Sequence, residues 1–189
     1  MNIAFVCNNM RIKMLGILKG NLMKILVMSD SHGDAQPILR TIRVYERYLT
    51  TVVHLGDADK DLMNFADEFP VMQFYAARGA SDSCAQSEKE QVLSLCGKKI
   101  MITHGHEHRV NIDTQRLAYY AQEKEVDACL YGHTHMAATF TVGPIFFLNP
   151  GSIAKPRGGG KPSYGIVEIT GNGLIRGAII TLTNESMMI

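Results

Sequence analysis

Aspartate and histidine side chains recur in short polar segments, each of which directly follows a run of apolar residues. The residues concerned are Asp30, His32, Asp57, His104, His133 and His135. Carboxylate oxygens together with imidazole nitrogens suit ions such as Mn, Fe, Zn or Co better than the purely oxygen-ligated sites that Ca prefers. We therefore expect these six side chains to bind metal if the fold brings the segments together.

Two of the segments carry a pair of candidate ligands separated by one residue, Asp30-Ser31-His32 and His133-Thr134-His135. In an extended chain, side chains at positions i and i+2 leave the backbone on the same side, so each pair would face one ion. In a turn this alternation weakens, and His133 and His135 would then face different ions. The sequence leaves both geometries open.

Strands are predicted immediately before the polar segments. Short apolar runs indicate strands at residues 24–29, 51–55, 71–76, 99–103 and 126–131. In open α/β sheets, ligands bind in the crevice beyond the carboxyl ends of the strands. The loops that follow these strands are therefore expected to converge at one place, although they are far apart along the chain.

Helices and further strands complete the predicted architecture. Ile38, Ile42 and Tyr45 recur at helical spacing, and Asp34 precedes them as a candidate N-cap. Asp113 is a second candidate cap, and a short helix is predicted at 60–65. Turn residues separate the remaining predicted strands, which include a hairpin turning at Gly97-Lys98 and the runs 91–95, 138–142, 145–148, 164–169 and 174–182. This order predicts an α/β protein with two sheets packed face to face and helices outside.

Length and composition limit the class of protein. A chain of 189 residues is long enough for one well-buried domain, which we place at 23–189 because a buried-strand pattern begins at Met23. Residues 1–22 are interpreted as an N-terminal extension, either an upstream segment or an arm that forms an extra hairpin or an interface. The net charge of +1 gives no reason to expect nucleic acid or an anionic membrane as partner.

Cysteine usage and hydropathy indicate the cellular compartment. The four cysteines are scattered and form no CxxC pair, which favours reduced thiols and a cytoplasmic protein. No apolar run reaches the roughly 18 to 20 residues that a membrane-spanning helix needs.

Taken together, the segments resemble those of a known family. Asp30-x-His32, Gly56-Asp57, Arg78-Gly79-x-x-Asp82, His104-Gly105-His106 and Gly132-His133-x-His135 are similar to the motifs of the calcineurin-like metallophosphoesterases. Asn149-Pro150-Gly151-Ser152 and Pro156-Arg157 resemble its small bacterial and archaeal phosphodiesterase branch, to which the retromer subunit Vps29 is also related. The resemblance covers about residues 23–182 and implies a four-layer α/β/β/α sandwich of two mixed sheets flanked by helices.

The resemblance also implies two divalent metal ions. The first would be held by Asp30, His32, Asp57 and His135. The second would be held by Asp57 as a bridging ligand, His104, His133 and an asparagine. Ala80 stands where the family has that asparagine, and its methyl group cannot coordinate a metal, so a weaker second site is expected. Mn is the preferred candidate, with Zn, Fe, Ni, Co and Mg as alternatives.

The implied reaction is hydrolysis of a small phosphodiester by a hydroxide that bridges the two metals. Asp57, His106 and Asp82 are the candidate catalytic residues, and His106 and Arg157 are the candidate contacts to substrate phosphate. Two alternatives stay open, a non-catalytic scaffold like Vps29 with a degenerate metal site, and a phosphomonoesterase. A homodimer or higher oligomer is a further expectation.

Overall fold

The computed structural model describes residues 23–57, 65, 67–82 and 87–183. Strands predominate in this part of the chain. The elements in chain order are β1 Met23–Met28, α1 Ala35–Tyr45, β2 Thr51–His54, β3 Gln73–Ala76, β4 Glu90–Leu95, β5 Lys98–Thr103, a 3-10 helix His106–His108, α2 Gln115–Glu123, β6 Ala128–Tyr131, β7 Ala137–Val142, β8 Ile145–Pro150, β9 Ser163–Ile169 and β10 Ile175–Thr181.

The strands form two mixed five-stranded sheets within the described ranges. The first sheet has the order β10-β9-β1-β2-β3, and the second has the order β4-β5-β6-β8-β7. Strands β1, β2 and β3 run parallel, as do β5, β6 and β8, whereas β9, β10, β4 and β7 join antiparallel. The parallel strands therefore end at a common edge of each sheet, and the loops after them lie side by side there.

The two sheets pack face to face and each carries a helix on its outer face. Ile25 and Val27 of β1 meet Leu130 and Leu148 of the second sheet in the central core, while Leu26 of β1 points the other way. Alternate side chains of a strand face opposite sides, so the continuous burial of residues 25–28 in β1 and 51–54 in β2 shows that both strands are covered on both faces. The predicted four-layer α/β/β/α sandwich is confirmed.

Helix α1 covers the outer face of the first sheet. Asp34 is its N-cap, and the carboxylate accepts a hydrogen bond from the Gln36 amide at 3.3 Å, as predicted. Ile38 and Ile42 are fully buried against the sheet. Tyr45 is also buried, and its hydroxyl lies 3.0 Å from the Tyr164 hydroxyl of β9. Burial of these side chains, rather than helix propensity, stabilises α1 in this position.

Helix α2 covers the outer face of the second sheet. Leu117 and Ala121 pack against a cluster that includes Met101, Cys129 and Phe147. The predicted cap at Asp113 lies one residue before the N-cap, which is Thr114, but the Asp113 carboxylate still accepts a hydrogen bond from the Gln115 amide at 2.9 Å. None of the helices in the described part of the chain is long and apolar enough to cross a membrane.

Some sequence expectations differ from the structure or lie outside it. The hairpin between β4 and β5 turns at Cys96-Gly97, not Gly97-Lys98, and both residues have positive φ, 49° and 74°. A two-residue turn of this kind matches the twist of the flanking strands, which fixes the register. The N-terminal extension at 1–22 lies outside the described residues, and so does the predicted helix at 60–65 except for its last residue. Both therefore stay predictions.

Candidate metal centre

The loops after β1, β2, β5 and β6 meet at the carboxyl ends of the strands and bond to one another through the backbone. The Asp30 amide donates to the Gly56 carbonyl at 3.1 Å, and the His32 amide donates to the Asp57 carbonyl at 3.2 Å. The Gly132 amide donates to the His104 carbonyl, also at 3.1 Å. These bonds join the loop after β1 to the loop after β2, and the loop after β5 to the loop after β6. A bond from the His133 amide to Asp30 Oδ2 joins the two pairs, so the six predicted ligands lie in one region, as expected.

Five of the six predicted ligands have a left-handed backbone. The φ angles lie between 49° and 70° for the set Asp30, His32, Asp57, His133 and His135. Asp and His enter this region several-fold more readily than most residues, but each position still costs roughly 1–3 kcal/mol. Such conformations persist where the surrounding contacts over-determine them, and they cluster at functional sites. The strain is therefore an independent indication that this edge of the sheets has a function.

Four of the side chains form a compact first group, consisting of Asp30, His32, Asp57 and His135. One potential ligand atom from each lies within 4.8 Å of the others. His135 Nε2 lies 3.2 Å from Asp30 Oδ1 and 3.2 Å from His32 Nε2. His32 Nε2 lies 3.6 Å from Asp57 Oδ2.

The hydrogen-bonding roles in the first group fit a cation. His135 Nδ1 lies 2.5 Å from the Lys155 carbonyl and can only donate to it, which leaves Nε2 of the neutral imidazole with a lone pair. Nε2 lies 3.2 Å from the fully buried Asp30 Oδ1, and no other donor among the described residues reaches that oxygen. A proton on Nε2 satisfies the oxygen in the metal-free protein, and a divalent cation that replaces this proton satisfies both atoms.

The other oxygen of Asp30 is already satisfied. Asp30 Oδ2 accepts the Ser29 hydroxyl at 2.6 Å and the His133 amide at 3.1 Å. Burial alone opposes ionisation of this carboxyl, but hydrogen bonding to His135 and Ser29 and the nearby His104 hold its pKa below the usual value. Asp30 is therefore ionised and fixed in orientation, with one oxygen left for a ligand.

A second group adjoins the first through Asp57. Asp57 Oδ1 lies 3.5 Å from His104 Nε2, and His104 Nε2 lies 3.2 Å from His133 Nδ1. His104 Nδ1 lies 2.7 Å from the Leu55 carbonyl, so it donates there and leaves Nε2 with a lone pair. The two oxygens of Asp57 therefore face the two groups, as a bridging ligand requires.

His133 and His135 face different groups. Of the two geometries that the sequence left open for this pair, the structure has the one expected in a turn.

The asparagine position of the second group is occupied by Ala80. Its side chain is exposed and offers no ligand atom. The adjacent Ser81 amide donates to Asp57 Oδ1 at 2.8 Å, so this loop contacts the shared carboxylate through its backbone. The second group consequently has three protein ligands, one fewer than the first.

Burial and charge set the protonation of the histidines. Burial lowers the pKa of His32, His106 and His133, so these imidazoles are neutral near pH 7 and available as ligands or acceptors. The pKa of His135 is instead raised, chiefly by its hydrogen bond to the Asp30 carboxylate. A metal must therefore displace a proton from His135, which couples binding to pH.

The remaining predicted residues lie around the two groups. The His106 ring centroid is 5.3 Å from that of His104, and its buried Nδ1 has no partner among the described residues. Arg157 is exposed, and its amide donates to the His135 carbonyl at 3.1 Å. Asp82 Oδ2 accepts the Gly79 amide at 2.8 Å, a contact that holds the loop over Asp57. A catalytic role for Asp82 stays a prediction, since the contact shown is to this loop.

Sequence reasoning missed the groups that orient the ligands. Ser29 and the backbone carbonyls of Leu55 and Lys155 contact Asp30, His104 and His135. A backbone carbonyl carries no residue-type signal, so neither carbonyl was predictable. Ser29 had one weak signal, a hydroxyl at the end of an otherwise apolar strand directly before Asp30.

The fold and the paired ligand groups define a metallophosphoesterase. The sequence pattern of the calcineurin-like phosphoesterase superfamily domain matches residues 23–172, and the chain belongs to this family. The chain is similar to phosphodiesterase YfcE of Escherichia coli strain K12, with 25% identity over 193 aligned positions, 88% of this chain and 96% of the relative.

Solved structures show the same fold. A predicted phosphoesterase from Streptococcus pneumoniae TIGR4 is 33% identical, with a TM-score of 0.69 over 84% of this chain and 98% of that one. Wild-type Vps29 from Entamoeba histolytica, solved in complex with Zn²⁺, is 25% identical, with a TM-score of 0.62 over 84% of this chain and 98% of that one. The chain is thus similar both to proteins named as phosphoesterases and to Vps29.

Proposed function

We propose that the protein is a metal-dependent phosphodiesterase that hydrolyses a small phosphodiester with two divalent cations, of which Mn²⁺ is our first candidate. The observation that carries the proposal is the position of Asp57, whose two oxygens face the two ligand groups. A carboxylate shared in this way sets two cations close together, as in known two-metal hydrolases. The phosphodiesterase name of the Escherichia coli relative supports the substrate class.

The chemistry divides between the cations and the protein. Bound cations supply Lewis acidity, which lowers the pKa of water towards neutrality and stabilises the charge that develops on phosphorus oxygens. The protein sets their spacing through Asp57, and burial lowers the pKa of His32 and His133 so that these two imidazoles are neutral. His104 and His135 are held in one orientation by the Leu55 and Lys155 carbonyls. Preorganisation of this kind avoids the cost of reorienting ligands during the reaction.

Basic and neutral groups beside the centre suit a phosphate. Arg157 and Lys155 are close enough for their positive charges to act against protonation of His135 and His32, respectively. The His106 ring lies next to the rings of His104 and His133. We assign Arg157 and His106 as contacts to the non-bridging oxygens of the substrate, because a guanidinium and an imidazole both donate to anionic oxygen.

Position 81 favours a diester over a monoester. The family resemblance implies a histidine directly after the asparagine in relatives with strong phosphomonoesterase activity, and Ser81 occupies that position here. A hydroxyl is a much weaker acid than an imidazolium, so help to the leaving group from this position is small. Monoester cleavage passes through a loose transition state with much charge on the leaving oxygen, so it depends more on that help than cleavage of a diester with the same leaving group does.

The test compares two chromogenic esters in the presence of Mn²⁺ and of a chelator. We expect cleavage of bis(p-nitrophenyl) phosphate that is lost on chelation, restored by Mn²⁺, and faster than cleavage of p-nitrophenyl phosphate. Failure to cleave either ester with any of Mn, Zn, Fe, Ni, Co or Mg would remove the enzyme proposal. Cleavage of the monoester alone would make the protein a phosphomonoesterase.

A non-catalytic scaffold is the second candidate, and the three-ligand second group favours it. The similarity to Vps29 in complex with Zn²⁺ is consistent with a metal centre on a protein of this kind. The two candidates differ in one observable, since a scaffold binds metal without cleaving either ester. The cytoplasmic location, oligomer formation and lack of nucleic-acid preference stay predictions.

A further inference from the structure

The segment Asn149–Lys155 has no assigned role in the reaction, yet it contacts two of the ligand-bearing loops, the one after β1 and the one after β6. Its first residue, Asn149, is fully buried at the end of β8. The Asn149 side-chain amide donates to the Gly132 carbonyl at 2.9 Å and to the Thr134 hydroxyl at 3.0 Å. Its carbonyl oxygen accepts the Gly151 amide at 2.9 Å. One side chain therefore contacts the peptide group before His133 and the side chain of the residue after it.

Ser152 makes the corresponding contacts to the first group. Its hydroxyl is fully buried and donates to the Asp30 carbonyl at 2.8 Å. The same oxygen accepts the amides of Ala154 at 3.2 Å and Lys155 at 2.7 Å. The turn that these bonds close presents the Lys155 carbonyl to His135 Nδ1. One oxygen atom thus connects the backbone of Asp30 to the group that orients the His135 ring.

Two backbone bonds complete the connection. The Ile153 amide donates to the Ser29 carbonyl at 3.1 Å, and the Arg157 amide donates to the His135 carbonyl at 3.1 Å. Asp30 and His135 both have positive φ, so each is in a conformation that relaxes unless neighbouring contacts hold it. The contacts from 149–157 are suited to that purpose, because they reach both residues from outside the ligand groups.

We propose that Ser152 is a positioning residue for the first metal ion, which sets the Asp30–His135 geometry, and that Asn149 does the same for the loop carrying His133 and His135. The inference rests on the proposed metal centre and extends it to residues that touch neither metal nor substrate. Groups that orient metal ligands typically change metal affinity by about 10-fold to 100-fold when removed. The effect on affinity, not on folding, distinguishes positioning from ordinary buried hydrogen bonding.

The matched pair for the test is Ser152→Ala against Ser163→Ala. Ser163 is buried, and its hydroxyl donates to the Pro150 carbonyl of the same segment at 2.7 Å, but within the described residues it bonds to none of the ligand-bearing loops. Both variants lose one serine hydroxyl bonded to a backbone carbonyl, so general loosening of the segment affects them alike. Only Ser152→Ala loses the bond to the Asp30 peptide and the turn that presents Lys155.

Metal affinity is measured by calorimetric titration of the chelator-treated protein with Mn²⁺, and the ligand geometry by the visible spectrum of the Co²⁺ form. We expect Ser152→Ala to weaken the tighter Mn²⁺ site by about 10-fold or more and to alter the Co²⁺ spectrum, while Ser163→Ala stays within about twofold of the parent. Equal weakening in both variants, or none in Ser152→Ala, would overturn the proposal.

A milder variant keeps the proposal testable if Ser152→Ala does not fold. Thr134→Val preserves the side-chain shape, lies between the two histidines, and removes the hydroxyl that accepts from Asn149 and that also bonds to the Met136 backbone. We expect a loss of Mn²⁺ affinity of about threefold or more, and parental affinity would refute the role of the segment. Neither titration depends on turnover, so a parent protein that binds metal but cleaves no ester refutes the proposed function and leaves this inference to stand or fall separately.

Discussion

Gly79 is the residue whose replacement tests the geometry around Asp57 most severely. A Cβ atom at this position would lie 2.0 Å from the Asp57 amide nitrogen and 2.3 Å from Asp57 Oδ1. Both are backbone or ligand atoms that cannot rotate away, unlike the tip of a flexible side chain. Gly79→Ala therefore forces the loop and Asp57 apart.

The size of the movement follows from ordinary contact distances. Non-bonded carbon and nitrogen or oxygen atoms approach to about 3.4 Å, so the two segments must separate by about 1 Å or more. A ligand constellation tolerates displacements of about 0.5 Å, so Asp57 no longer serves either group well. The same movement breaks the bond from the Ser81 amide to Asp57 Oδ1. We expect Mn²⁺ affinity to fall about 100-fold, with a loss of about 1–3 kcal/mol in the free energy of unfolding.

The assay is calorimetric titration with Mn²⁺, paired with urea unfolding of the metal-free protein. Gly160→Ala is the control, because a Cβ there meets only the Arg157 carbonyl at 3.1 Å and the Pro156 Cβ at 3.9 Å. The control is expected to bind Mn²⁺ as the parent does. If Gly79→Ala binds two Mn²⁺ ions with parental affinity, Asp57 is not held as the structure has it and the reasoning is wrong.

Three further outcomes follow from the same centre. Ala80→Asn supplies an amide oxygen to the second group. We expect Mn²⁺ affinity at the weaker, second site to rise about 10-fold while affinity at the first site is unchanged. If calorimetry shows no gain, position 80 does not face a metal. Mn²⁺ affinity should fall as the pH drops through the raised pKa of His135, because the ion must displace a proton from this imidazole. An Mn²⁺ affinity that is constant between about pH 8 and about pH 6 would contradict the assignment of His135 as a metal ligand. Arg157→Ala should raise KM for bis(p-nitrophenyl) phosphate about 10-fold and leave Mn²⁺ affinity unchanged, whereas an unchanged KM would remove Arg157 from the substrate site.

The fold was predictable because its central strands are buried on both faces. Runs such as the one preceding Asp30 are apolar without alternation, which is typical of parallel strands inside a sandwich. The caps were predictable from residue type, since the Asp34 carboxylate bonds the first turn of α1. The hairpin turn was placed one residue late because Cys96, a residue that rarely has positive φ, occupies a left-handed position.

The candidate site was only partly predictable for a related reason. Asp and His after strand ends predicted which side chains gather, because parallel strands end at a common edge. The division of His133 and His135 between two groups depends on left-handed φ angles, which residue types do not reveal. The bond from Ser152 to the Asp30 carbonyl joins residues 122 positions apart, and no local pattern records it.

The central claim is that Asp57 is shared by two metal ions, and calorimetric titration of Asp57→Asn with Mn²⁺ tests it most directly. The substitution keeps the side-chain shape and removes the negative charge that both groups share. If the claim is correct, the parent binds two Mn²⁺ ions per chain and the variant loses affinity at both sites together. Loss at one site with parental affinity at the other would contradict it.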